Sequence, residues 1–220
     1  FEACGEKLDM AQLQETWEGK LEPVYPYRKA GPTVEKINGK LTAPAAPKIG
    51  VAKPKVIIPV FPGTNCEYDT AKAFARAGAD PEILVIRNLT PADVAESCKA
   101  LVKAIDNSQI VMLPGGFSGG DEPDGSAKFI ASFFRNPEVT EAVRRLLQQR
   151  DGLMLGICNG FQALIKLGLV PYGDIRPITP YDPTLTFNTI GRHQSMLVRT
   201  RIASTGSPWL SKCEVGEQFT

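Results

Sequence analysis

The sequence predicts an α/β protein, a parallel sheet covered by helices on both faces. Three observations predict it. Short apolar runs such as "KVIIPV" and "IVMLP" are continuous rather than alternating, as strands buried on both faces are. Between them lie stretches with helical periodicity and recognisable caps. The two kinds of segment alternate from residue 55 to residue 168, the pattern of strand–helix–strand units.

The elements follow in order. "KVIIPV" (55–60) is the first strand, and "TAKAFARAG" is a short helix closed by Gly78. "EILVI" is the second strand. "TPADVAESCKALVKAI" is a helix with Thr90 as N-cap, Pro91 in its first turn and Asp93 as capping partner. "IVMLP" is the third strand. "DGSAKFIASFF" and "NPEVTEAVRRLLQQR" are helices, the second opened by Asn136 and Pro137. "LMLGI" is the fourth strand. "NGFQALIKLG" is a helix stopped by Gly168, with Leu169 and Pro171 completing a Schellman-type end. After Pro171 the rhythm breaks, and "SMLVRTRI" is expected to be a strand of an added antiparallel part.

Upstream, residues 1–20 carry a helical pattern (Leu8, Met10, Leu13, Trp17) ended by Gly19. From Gly31 to Pro54 the chain turns rich in Pro, Ala, Lys and Gly, which cannot bury enough apolar surface to fold alone. The expected organisation is the tail of a preceding domain over 1–30, a linker over 31–54 and the sheet domain over 55–220. The first residue is Phe, and a fresh apolar run begins close to Thr220, so the chain is expected to be a fragment of a longer one.

Composition bounds the function. The 220 residues are 43% apolar, sufficient for a core, and the net charge is +1 without a basic block. Nucleic acid and anionic membrane are therefore not expected partners. No apolar run approaches the length of a membrane span. Five cysteines without a CxxC pair exclude a disulfide framework or zinc site and fit a reducing, cytoplasmic setting.

Ligands of such sheets bind beyond the carboxyl ends of the strands. Three unusual loops leave those ends: "FPGTNCEYD", "PGGFSGGD" and "GICNG". In the last, Cys158 sits between Gly156 and Gly160 where a strand gives way to a helix. That is the spacing of a nucleophile elbow, with Cys in place of Ser. The turn displays the thiol at a helix N-terminus, where backbone amides favour negative charge. The Asn159 amide is then placed to hold an oxyanion. "PGGFSGGD" offers the second donor, since Gly115 and Gly116 let its backbone approach a ligand closely. Most cysteines are small buried hydrophobes, and Cys98, mid-helix, reads that way. Cys66 is the rival nucleophile, but it lacks flanking glycines at two-residue spacing. A cysteine nucleophile needs a base. The one histidine, His193, is followed two residues on by Ser195 rather than by an acid that could orient it, so it reads as a surface or strand residue.

From residue 54 to about 200 the sequence resembles the class I, or triad, glutamine amidotransferases. "GICNGFQ" is similar to their nucleophile signature and "PGGFS" to their oxyanion strand. "FPGTNCEYDTAKAFARAGAD", "LPGGFSGGDEPDGSAKF" and "GICNGFQALIKLGLVP" together resemble the glutaminase domains of the phosphoribosylformylglycinamidine synthases, in the large single-chain form. Many of these read "GGFSYGD", where this chain has Gly119. The resemblance implies a flavodoxin-like sheet. It also implies that Cys158 attacks the glutamine amide to give a thioester and ammonia, with Gly116 and Asn159 as the oxyanion hole. Gln162, Phe117, Ser118 and Asn65 would line the glutamine site, with Asn188 reaching the amino-acid end. The family's His-x-Glu pair would lie beyond Thr220. Ammonia would pass to a synthetase domain of the same parent chain, converting formylglycinamide ribonucleotide to formylglycinamidine ribonucleotide in purine biosynthesis. ATP and magnesium would belong to that part, since no P-loop and no metal site is expected within 1–220. Two other readings stay open: another Cys-elbow hydrolase of the same fold, and a non-catalytic module that binds glutamine or a partner domain.

Overall fold

Four parallel strands form the central sheet: β1 (Lys55–Val60), β2 (Asp80–Val85), β3 (Ile110–Leu113) and β4 (Leu153–Gly156), in spatial order β2-β1-β3-β4. The register sets Ile58 beside Ile83, Val56 beside Ile110 and Met112 beside Leu155. The computed structural model describes residues 2–3, 5–7, 9–21, 23–24, 50–117, 127–185, 188 and 190–220. The chain divides into two units, Ala46–Thr186 and the pair of segments Phe1–Ala45 and Phe187–Thr220.

In the first unit, the helices are α1 (Glu67–Arg76), α2 (Pro91–Asp106), α3 (Lys128–Phe134), α4 (Pro137–Arg144), α5 (Asn159–Leu167) and the single turn α6 (Leu169–Tyr172). The α/β sheet expected from the sequence is present. The chain steps one way from β1 to β2 and the other way from β2 to β3. Right-handed crossovers therefore put α1 and α2 on opposite faces. The strands are buried on both faces: Ile57, Val111 and Leu113 join the core formed with α2 to α5, while Val56, Ile58 and Met112, at alternating positions, are fully buried too. Phe134, Leu101, Ile105 and Leu146 fill the helical side.

Several boundaries differ from the sequence expectation, each for a physical reason. α1 starts at Glu67 instead of Thr70, because Glu67 and Asp69 favour a helix first turn. β2 begins at Asp80 and includes Pro81, which an edge strand paired on one side tolerates. α2 carries the expected capping box between Thr90 and Asp93. α3 begins at Lys128; the preceding part of "DGSAKFIASFF", residues 124–126, lies outside the described residues. α4 gives way to one π-helical turn, Arg145–Gln149, in place of a single regular helix. The Arg150 guanidinium then donates to the carbonyls of Ile105 (2.7 Å), Asp106 (2.8 Å) and Ser108 (3.0 Å), and Arg145 pairs with Asp106 at 2.8 Å. These bonds close the C-terminal end of α2 and fix where β4 enters the sheet. α5 ends as expected at Gly168, whose φ of 88° gives the left-handed cap. Pro171 sits in the turn α6, and the helical path stops at Gly173 instead.

In the other unit, Glu2–Ala3 pairs antiparallel with Glu6–Lys7. A helix, Met10–Gly19, is capped by Asp9, whose carboxylate accepts from the Ala11 and Gln12 amides. The expected "SMLVRTRI" strand is reduced to Thr200–Arg201, paired antiparallel with Gln218–Phe219. Residues 31–49 of the expected linker lie outside the described residues.

Removing the Thr90 cap with Thr90→Ala should cost about 1 kcal/mol. Arg150→Ala, which strips hydrogen bonds from three carbonyls, should cost more, about 2–3 kcal/mol. Urea denaturation midpoints check both, and equal midpoints for Arg150→Ala and the parent would refute the role assigned to Arg150.

Candidate active site

β4 ends at Gly156, and two residues later the chain is already at the N-cap of α5. That residue is Cys158, with φ 54° and ψ −111°. A non-glycine residue at positive φ is strained and persists only where its surroundings hold it. Here three backbone bonds do so. The Ile157 N–H donates to the Leu113 carbonyl (3.1 Å), the Gly160 N–H to Ile157 (2.9 Å) and the Gln162 N–H to Cys158 itself (3.0 Å).

The flanking glycines are required by contact. A Cβ on Gly160 would lie 2.6 Å from the Leu113 carbonyl carbon and nearer still to its oxygen. One on Gly156 would lie 2.6 Å from the Gly160 oxygen. Real Cβ atoms do not approach backbone that closely, so the elbow closes only with glycine on both sides. The Cys158 thiol is exposed, while Asn159 beside it is 1% exposed.

The loops after β1 and β3 form the other wall. Thr64 and Gly116 form an isolated antiparallel bridge. The Asn65 N–H donates to Gly115 (3.2 Å) and the Phe117 N–H to Gly63 (2.8 Å). Bonds flanking a pair in this way leave the paired residues' own N–H groups pointing outward. The Gly116 N–H is therefore turned away from the β1 loop. Gly116 has φ 150°, and a Cβ there would lie 2.7 Å from the Thr64 Cα. Gly115, in the β3 loop, faces both the elbow and the β1 loop: a Cβ built on it would be 3.4 Å from the Cys158 Cβ and 3.3 Å from the Cys66 Sγ. This is also the switch point of the sheet, where β1 and β3 lead away to opposite sides, and where such folds bind ligands.

Cys158, Asn159, Gly116, Phe117, Asn65 and Gln162 all leave this carboxyl end of the sheet or its first helical turn. The Gln162 Oε1 accepts from the Asn159 Nδ2 at 3.2 Å, so the two side chains order each other. Phe117 is exposed. Ser118 and Gly119 lie outside the described residues. Asn188 and His193 belong to the other unit. There the Asn188 Nδ2 donates to the Arg192 carbonyl at 3.0 Å, closing a local turn, and His193 is exposed. Cys66, the rival nucleophile, has ordinary backbone angles at the N-cap of α1, and its thiol donates to the Asn65 Oδ1 at 3.2 Å. The sequence reading did not foresee that it borders Gly115; a thiol at the end of a neighbouring strand was the available signal. It also passed over Gly63 and Thr64, whose backbones hold the Gly116 strand; the "PGT" turn was their signal. Among the described residues, no three His, Cys, Asp or Glu side chains gather as a metal site would need. Among the same residues, no helix is long and apolar enough to cross a membrane.

The family model for the CobB/CobQ-like glutamine amidotransferase domain matches residues 53–219. The chain belongs to that family. It is 36% identical over 146 residues to the phosphoribosylformylglycinamidine synthase subunit PurQ of Dehalococcoides mccartyi, covering 66% of this chain and 51% of that protein. To the same-named subunit of Rubrobacter xylanophilus it is 35% identical over 166 residues, 76% of this chain and 61% of the relative. The chain thus spans little more than half the length of these relatives. Among solved structures, that of PurLQS from Thermotoga maritima matches with TM-score 0.52 and 25% identity, covering 76% of this chain and 64% of that one. This amidotransferase domain therefore carries the α/β fold of its family.

Gly160→Val should open the elbow, because a branched side chain cannot share space with the Leu113 carbonyl. Labelling of Cys158 by a chloroketone analogue of glutamine is expected to fall by about a hundredfold or more. Circular dichroism separates this from global unfolding, and an undiminished labelling rate would contradict the elbow geometry.

Proposed function

We propose that this domain hydrolyses the side-chain amide of glutamine through a thioester on Cys158. In this reading the ammonia converts formylglycinamide ribonucleotide to formylglycinamidine ribonucleotide. The observation that carries the proposal is the strained Cys158 backbone, which holds an exposed thiol across from the Gly115–Gly116 strand. The relatives named as phosphoribosylformylglycinamidine synthase subunits support the substrate.

The Cys158 sulfur adds to the amide carbon of glutamine. Negative charge develops on the carbonyl oxygen, and the amides of Asn159 and Gly116 receive it. Collapse of the adduct expels ammonia, which needs a proton, and water then cleaves the thioester with help from a base. Gln162, held by Asn159, and Asn65 and Phe117 border the bound glutamine. The base is a histidine outside residues 1–220, paired with a glutamate. This is supported by the chain's single histidine being followed by Gln194 and Ser195, without an acid to orient it.

The ammonia acceptor is bound by a synthetase part, which also holds ATP and magnesium. We assign that part to the same parent chain, preceding residue 31, whereas the relatives are named as subunits of the synthase. The setting is the cytoplasm, consistent with free thiols at Cys66, Cys98, Cys158 and Cys213.

In the full protein, Cys158→Ala should abolish synthesis from glutamine and leave synthesis from added ammonia. Product formation with each nitrogen source is the measurement, and loss of both in a folded variant would overturn the division of labour. Ammonia release by residues 1–220 alone should be lower than by a longer chain that includes the His-x-Glu pair, by about 10²–10⁴-fold. Turnover by residues 1–220 that His193→Ala abolishes would instead make His193 the base.

A further inference from the structure

We propose that Cys66 and Cys158 form a reversible disulfide under peroxide stress, with Cys66 protecting the elbow thiol from irreversible oxidation. The inference does not depend on the glutaminase reading, only on where the two thiols lie. They come from different strand ends, separated by 92 residues of sequence, yet both border the position that a side chain on Gly115 would occupy. That position is 3.4 Å from the Cys158 Cβ, 3.3 Å from the Cys66 Sγ and 3.9 Å from the Cys66 Cβ. Because residue 115 is glycine, nothing of its own fills the gap.

Three features make the gap bridgeable. Both cysteines are exposed, so a small oxidant reaches them. Both are held to the same strand: the Cys66 loop through the bonds to Gly115 and Phe117, and the elbow through the bond from Ile157 to Leu113. Their separation is thus set by β3 and its continuation. Finally, among the described residues the Cys66 thiol is engaged by a weak S–H···O contact to the Asn65 side chain, which rotation about χ1 gives up at little cost. A disulfide needs Cβ atoms about 3.5–4.5 Å apart. The Gly115 position lies 3.4 Å from one Cβ and 3.9 Å from the other, so rotation about χ1 turns both sulfurs into the same gap, and approach of the exposed Cys66 loop brings the Cβ atoms into range. Cys98 cannot compete, since it is buried in the core and burial pushes its thiol pKa up.

The oxidant is a hydroperoxide. The Cys158 thiolate attacks one peroxide oxygen, an S–O bond forms, the O–O bond breaks, and hydroxide leaves to become water. The Cys66 thiolate then attacks the sulfenic sulfur. An S–S bond forms, the S–O bond breaks, and the departing hydroxide takes up a proton as a second water. The two cysteines are oxidised together by two electrons and the peroxide is reduced. A dithiol reverses the step by exchange. Without Cys66, the sulfenic acid on Cys158 remains open to further oxidation to sulfinic acid, which a thiol does not reverse.

The test treats the full protein with hydrogen peroxide, blocks remaining thiols with iodoacetamide and maps peptides by mass spectrometry. The expected result is a linked Cys66–Cys158 peptide that dithiothreitol separates. In Cys66→Ala, Cys158 should instead accumulate as sulfinate, and dithiothreitol should no longer restore its labelling. Gly115→Ala, which puts a methyl into the gap, should also reduce the linked peptide, and it serves if Cys66→Ala does not fold. Sulfinate at Cys158 in the parent protein without any linked peptide would overturn the proposal. So would a disulfide found only between molecules.

Discussion

The close approach of Gly160 to the Leu113 carbonyl is the constraint on which the site depends. It lets α5 start directly against β3, so that the turn leaving β4 has no room for an ordinary backbone path. Cys158 absorbs the difference by taking a positive φ. The same contact explains why both glycines at two-residue spacing are needed, since Gly156 faces the Gly160 backbone in turn. A looser strand–helix junction would relax Cys158 into the helix and withdraw its thiol from the crevice.

The second wall depends on the order of the strands. β1 and β3 are neighbours, although α1, β2 and α2 separate them in sequence, so their loops leave the sheet side by side. The Thr64–Gly116 bridge, antiparallel where β1 and β3 are parallel, ties the two loops together beyond the end of the sheet. A loop that would otherwise move freely becomes a fixed rim. Its backbone pairing directs the Gly116 amide away from β1, and its glycines admit the approach of neighbouring backbone. Both walls are thus made from backbone geometry, and the side chains that border the crevice are placed by it.

Much of this was legible in the sequence because local chemistry and tertiary packing agree there. The continuous apolar strands, the Thr90–Asp93 box, the Asn136–Pro137 start and the Gly168 stop are each read from a few residues. The Gly-x-Cys-x-Gly spacing was legible for the same reason: a steric requirement leaves a compositional trace. What escaped was non-local. Nothing near Arg150 announces that its guanidinium closes a helix ending more than forty residues earlier, and the π-helical turn before it follows no periodic signal. The meeting of Cys66 and Cys158 at Gly115 depends on strand order, which a single sequence does not state. The antiparallel strand was overextended because an apolar run was read without its partner, and the partner is only two residues long.

The strain at Cys158 also has a measurable counterweight. Backbone held in so sparsely populated a region costs on the order of 1–3 kcal/mol. α5 buries Ala163, Leu164 and Leu167 against the core, and full burial of one leucine side chain contributes about 1.5–3 kcal/mol. The helix that imposes the strain therefore brings enough apolar burial to hold it. Its first turn adds specificity, since buried Asn159 orders Gln162 and fixes the residues that follow the thiol. The geometry of the nucleophile is set by packing five to nine residues away, on the helix face buried in the core. A cavity made at Leu167, remote from the crevice, would weaken the grip on Cys158 before it altered any group that lines the site.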